Sequence, residues 1–161
     1  MTHPDAETLI QSFHTTWRIM QMQTNGLSHA DSLLQPPFRG NCLNWVLGHI
    51  LVGRDQALRL LGEASVLVAD EAARYRTGSE PVQEEEALSL ERLLAGLAEA
   101  QERLDAALAR APAGALAAVV DFRGREQPLG QALDGLHWHE TYHTGQLELL
   151  RQLAGTDDAI I

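Results

Sequence analysis

His139-Glu140-Thr141-Tyr142-His143-Thr144-Gly145-Gln146 places two imidazoles four residues apart in a segment with helical periodicity. Four residues of α-helix turn through about 400° and rise about 6 Å, so the two rings point the same way, one above the other. One helix can chelate one metal ion with this spacing. Leu129, Leu133, Leu136, Leu147 and Leu150 recur around the pair at helical steps. His143 falls on their stripe, and His139 lies about 40° from it on the helical wheel. The imidazoles thus interrupt a core seam. Burying two polar rings without partners costs roughly several kcal/mol, so something must satisfy them.

The segment is predicted to be a helix from Pro128 to Ala154, closed by Gly155. Three more long helices precede it. The first is expected from Pro4 to Gln23, with Thr2 or His3 just outside, Pro4 near the first helical position and an apolar stripe of Ile10, Phe13, Trp17 and Met20. Asn25-Gly26 ends it. The second runs from Cys42 to Leu61, with Asn41 as N-cap and Gly62 as stop. The third runs from Leu90 to Ala109, capped by Ser89, with Leu90, Leu94, Leu97, Leu104 and Leu108 inward. The connections 62–89 and 110–127 are long. The former holds a short helix from Asp70 to Tyr75, and the latter an extended piece over Val119–Phe122. Strand signals are otherwise almost absent. This predicts an all-α four-helix bundle with long connections, as a single domain over residues 1–161.

Composition narrows the function. A chain of 161 residues, 45% hydrophobic, can bury a real core. No apolar run approaches the ~20 residues that span a bilayer, and Met1–Asp5 lacks the basic-then-apolar pattern of a signal peptide. The lone cysteine, Cys42, rules out an internal disulfide and fits a reducing compartment. A net charge of −10 without a basic cluster repels phosphate backbones. The expectation is a soluble cytoplasmic protein with a small-molecule substrate and neither nucleic acid nor membrane as partner. The run Glu84-Glu85-Glu86 reads as a solvated approach to the third helix.

A catalytic metal site takes a third ligand, usually from another element. His49 is the natural one: it lies inside the second helix, on the face shared by Cys42, Trp45, Val46 and Gly53. Gly48 and Gly53 each cost that helix about 1 kcal/mol relative to Ala. Close approach of a backbone or ligand, or a tight helix crossing, explains them equally well. Cys42 shares the face of His49 but sits about 10 Å along the axis, too far for the same ion. It reads as a small buried hydrophobe in preference to a stabilised thiolate. His137 is about 200° from His139 on the wheel and reads as a solvent or interface residue. His14 and His29 have no motif around them. Trp17 and Trp45 read as core, with either able to line the metal cavity. Gln146 falls on the ligand face, where it can bond a ligand or orient a neighbouring helix.

Trp45-x-x-x-His49 on the second helix and His139-x-x-x-His143-x-Gly145-Gln146 on the fourth resemble the DinB-like (YfiT-like) family of metal-dependent enzymes. The likeness spans nearly the whole chain. It implies a bundle of up-down-down-up order, a divalent metal ion held by His49, His139 and His143, and a homodimer. Neutral three-His ligation suits zinc or nickel. Some relatives are thiol transferases or isomerases that use a low-molecular-weight thiol as cofactor. That resemblance makes a thiol-dependent S-transferase or isomerase acting on a small electrophile the leading function.

The same letters spell H-E-x-x-H, the zinc-peptidase signature, with Glu140 in the general-base position. A metzincin needs Gly at 146 and His at 149, where this chain has Gln146 and Leu149. A gluzincin takes an acidic ligand from a following helix. Glu148 is only five residues past His143, in the same helix and on another face. The peptidase reading is set aside, with Glu140 kept as an acid/base candidate. A metal-dependent hydrolase that activates water, and a metal- or small-molecule-binding module without turnover, remain as alternatives.

Overall fold

The computed structural model describes residues 3–156. It is mostly helical, with one small sheet. The elements are α1 (Ala6–Thr24), α2 (His29–Ser32), α3 (Leu43–Leu60), α4 (Ala69–Ala73), α5 (Leu90–Arg110), a 3-10 turn (Ala115–Ala117), β1 (Val119–Phe122), β2 (Arg125–Pro128), α6 (Leu129–Thr144) and α7 (Leu147–Gln152). No described helix is long and apolar enough to cross a membrane.

The four long helices arise where the periodicity places them, with changes at their ends. Asp5 caps α1, its carboxylate accepting from Thr8 N at 2.8 Å. The cap is therefore neither His3 nor Thr2, the latter outside the described residues. A carboxylate at this position meets the free N–H groups and the positive end of the helix, which His3 cannot do. The buried stripe of α1 is Leu9, Phe13, Thr16 and Met20, with Ile10 and Trp17 only half-buried at its edge. Cys42, not Asn41, is the N-cap of α3, and it makes no side-chain cap bond. Ser89 caps α5 through Arg92 N, as predicted.

The last helix is not continuous. It breaks at Gly145-Gln146 between α6 and α7. The Thr144 hydroxyl donates back to the Glu140 carbonyl at 2.8 Å, a bond that bends helices, and glycine follows. The extended piece at Val119–Phe122 is real but is half of a hairpin, paired antiparallel from Val119↔Pro128 to Phe122↔Arg125. Arg123 (φ 58°) and Gly124 (φ 75°) form a two-residue turn with both φ positive, the geometry that matches strand twist.

Helices α1, α3, α5 and α6 share one core, in which Leu47, Leu51, Leu93, Leu97, Leu104 and Leu133 are fully buried. Helices α5 and α6 each pack on both α1 and α3. Phe13 meets His137 and Thr16 meets Glu140 across the α1–α6 contact. His49 meets His139 and His143, and Arg54 meets Glu140, between α3 and α6. His14 reaches Asp105 from α1, whereas His29 accepts from Leu90 N at the start of α5.

Candidate metal centre

The site grows from the α3–α6 contact. His49 and the His139/His143 pair project from the two helices toward one point, and their nearest ring nitrogens lie within 4.8 Å of one another. His139 Nε2 is 3.2 Å from His49 Nε2 and 3.2 Å from His143 Nε2. The other ring nitrogens set the tautomers. His49 Nδ1 faces the Tyr75 carbonyl at 2.7 Å, and His143 Nδ1 faces Gln146 Oε1 at 2.9 Å. Both partners only accept, so both Nδ1 atoms carry the proton and both Nε2 atoms present bare lone pairs.

A proton on His139 Nε2 could satisfy only one of those two lone pairs at a time. A cation among the three nitrogens satisfies all of them. Nitrogens bound at about 2.0–2.1 Å to one tetrahedral zinc stand roughly 3.3–3.4 Å apart, close to the two 3.2 Å separations found. The residues fit a divalent ion. The electrostatics agree, since burial is the main force lowering all three basicities. The charges of His143 and Arg123 add to it at His49, and those of His143, His49 and Arg123 at His139, which is brought down to about 4. Three neutral imidazoles at neutral pH are the ligand form.

Support for the site extends outward. Trp45 stacks on His49, with centroids 4.7 Å apart, and donates from Nε1 to Ser79 Oγ at 2.9 Å. Tyr75 is fully buried; its hydroxyl donates to Asn44 Oδ1 and accepts from Leu88 N. That network fixes the carbonyl that orients His49. Gly48 exists for Tyr75: a Cβ there would lie far inside van der Waals contact with the Tyr75 ring. A Cβ at Gly53 would merely touch His139 at 3.9 Å. Room for the Tyr75 side chain, and neither a backbone or ligand approach nor a tight helix crossing, thus explains Gly48.

Glu140 does not join the histidines. Its carboxylate is buried in the core, held by Arg54 Nε and Nη2 at 2.9 and 2.8 Å and by the Thr16 hydroxyl. The peptidase-like acid/base role is corrected accordingly: adjacent helical residues point about 100° apart, and this one turns into the core. Gln146 is the partner of His143 Nδ1. Cys42 is buried outside the cluster, and burial pushes its thiol pKa up. His14 pairs with Asp105, and His29 accepts from Leu90 N. His137 packs edge-on against Phe13. Trp17 stands near Arg54 and not at the metal cavity.

Sequence reasoning missed Arg54, Tyr75 and the arginines around the site. Of these, Arg54 alone carries a local signal. It stands five residues beyond His49 on a largely apolar helix, which marks a buried charge in need of a partner. Two cavities open onto the histidines. The larger, about 750 Å³, carries Trp45, Val46, Gln146, Leu149 and Leu150 beside the three rings. The smaller, about 280 Å³, is lined by His49 and His139 but not by His143.

No curated protein matches the sequence. The chain is similar in fold to a conserved protein from Enterococcus faecalis seen by crystallography, with a TM-score of 0.73 over 93% of this chain and 97% of that one at 15% identity. That likeness concerns the fold alone. The family model described as the DinB superfamily matches residues 12–147, a span that includes all three histidines and Gln146. By that match, the chain belongs to the DinB superfamily.

Proposed function

We propose that His49, His139 and His143 hold one divalent metal ion, zinc or nickel by donor type, in an enzyme that joins a low-molecular-weight thiol to a small electrophile. The observation that carries this reading is the convergence of three imidazole nitrogens, two with their outer Nδ1 atoms fixed by acceptors, at the mouth of two cavities. A divalent ion held there supplies Lewis acidity, favouring thiolate over thiol and polarising an electrophile. The protein's own groups do the rest. The Tyr75 carbonyl and Gln146 hold His49 and His143 in the ligand tautomer. Trp45, Val46, Leu149 and Leu150 give the larger cavity an apolar wall beside the rings, suited to a small organic ligand.

Hydrolysis is the weaker reading, because Glu140 is committed to Arg54 and cannot take a proton from water in either cavity. A module without turnover is disfavoured by the volume open beside the ligands, since structural sites are closed. The residue pairings between helices support an up-down-down-up bundle in one domain. The exposed, stacked Trp138–Tyr142 pair supports a homodimer. A cytoplasmic location remains part of the same proposal.

The test is direct. Zinc-loaded protein, given a low-molecular-weight thiol and chlorodinitrobenzene, should form the thioether and release chloride and a proton faster than the uncatalysed mixture. The His49→Ala variant should not. A rate equal to background with every thiol class tried would remove the transferase reading.

A further inference from the structure

The basic residues of this chain are all arginine, twelve of them, in a protein of net charge −10. Several are neutralised by carboxylates: Arg54 by Glu140, Arg92 by Glu71, Arg103 by Glu63 and Glu99, and Arg110 by Glu63. The smaller cavity departs from this pattern. Its lining includes Arg76, Arg123, Gln56 and Thr77 with the rings of His49 and His139, and it includes no carboxylate. Among the described residues neither arginine has a carboxylate partner.

Arg123 is delivered there by a costly piece of backbone. It occupies the left-handed region at the hairpin tip (φ 58°), where the Cβ of any L residue crowds the following carbonyl. Its guanidinium is steadied at two points: Nη2 donates to Gln56 Oε1 at 2.8 Å, and the group lies 4.9 Å over the Phe122 ring. Gln56 neutralises none of its charge. Arg76 comes from the segment after α4 that also supplies the Tyr75 carbonyl to His49. Two guanidiniums and an imidazole pair therefore line one half-open cleft of about 280 Å³.

We propose that this smaller cavity is an anion subsite, in which Arg123 and Arg76 take the carboxylate of a small ligand whose other end reaches the three histidines. Guanidiniums match carboxylates with paired, charge-assisted bonds. Both arginines are exposed and no carboxylate lines the cavity, so the pair stays open to an anion arriving from solvent. The proposal deepens the thiol-transfer reading: one of the two reactants is a small carboxylic acid, and the larger cavity takes the other. It rests on the metal reading only for what the ligand's far end meets.

The experiment separates the two. Cobalt-loaded protein is titrated with 3-mercaptopropionate and with its neutral isostere 3-mercaptopropionamide, following the thiolate-to-cobalt absorption. Wild type should prefer the acid, and Arg76→Gln/Arg123→Gln should lose at least about tenfold of that preference while binding the amide unchanged. Arg18→Gln/Arg125→Gln, at two exposed arginines outside both cavities, removes the same charge, should keep the preference and so controls for net charge. An equal preference in wild type and the Arg76→Gln/Arg123→Gln variant overturns the subsite and leaves the metal centre standing. Metal-free protein is titrated in parallel with succinate, read by the amide shifts of Gly53, Thr77 and Gly124. Shifts seen in wild type and absent in the Arg76→Gln/Arg123→Gln variant support the subsite even if cobalt fails to bind. Absence of shifts in wild type, with no cobalt binding, overturns both readings.

Discussion

Arg54 and Glu140 form a fully buried, two-bond ion pair, Nε to Oε2 at 2.9 Å and Nη2 to Oε1 at 2.8 Å. Arg54 Nη groups also donate to the Phe13 and Leu97 carbonyls, so one guanidinium ties α1, α3, α5 and α6 together. The residue beside a metal-ligand candidate is thus a structural brace.

Removing one half of that brace leaves the other charge buried and unpaired. Glu140→Ala should lower unfolding free energy by roughly 3–5 kcal/mol, measured by urea denaturation, while the folded fraction still takes up metal. A stable Glu140→Ala protein that has lost only activity would return Glu140 to an acid/base role.

The tautomer of His143 depends on Gln146. Gln146→Leu should weaken metal affinity by roughly 10–100-fold with little change in melting temperature of the chelated protein. Competition with a chromophoric chelator reads this out, and unchanged affinity would mean that the 2.9 Å contact does not orient the ring.

Gly48→Ala drives a methyl into the Tyr75 ring. It should cost about 1–3 kcal/mol as an overpacked core does, and by shifting the Tyr75 carbonyl it should also weaken metal binding. Gly53→Ala meets only ordinary contact and should be nearly neutral in stability. Equal losses at both positions would count against the Tyr75 explanation.

These contrasts show what the sequence carried. The helices were legible because Leu90, Leu97, Leu104 and their counterparts repeat at the helical period, and His139 and His143 were legible because their spacing is itself geometry. The roles of Arg54, Tyr75 and Arg123 were not, because they depend on contacts between α3, α6 and two long connections, which no local pattern encodes. The hairpin was half-read for a related reason. Arg125–Pro128 has no apolar alternation and becomes a strand only through pairing with Val119–Phe122.

The histidines also set a pH dependence. Their folded pKa values lie below the ordinary 6.5, His139 at about 4, so the unfolded chain binds more protons between those values. Stability of metal-free protein should therefore be full above about pH 6.5 and fall as pH drops toward 4. Asp5 and Asp31, whose pKa values are lowered from 3.8, act only below that window. His139→Gln should flatten the fall in thermal melts of chelated protein. A melting temperature independent of pH across the window in wild type would contradict neutral burial of the cluster.

Metal content tests the central claim most directly. Protein purified without chelator or nickel affinity resin should carry about one zinc or nickel per chain, as three neutral imidazoles predict. His49→Ala and His143→Ala should lose it, and His137→Ala, whose ring faces Phe13, should keep it. Wild-type protein that cannot be loaded with any divalent ion, or a His49→Ala variant that retains its full complement, would contradict the three-histidine centre.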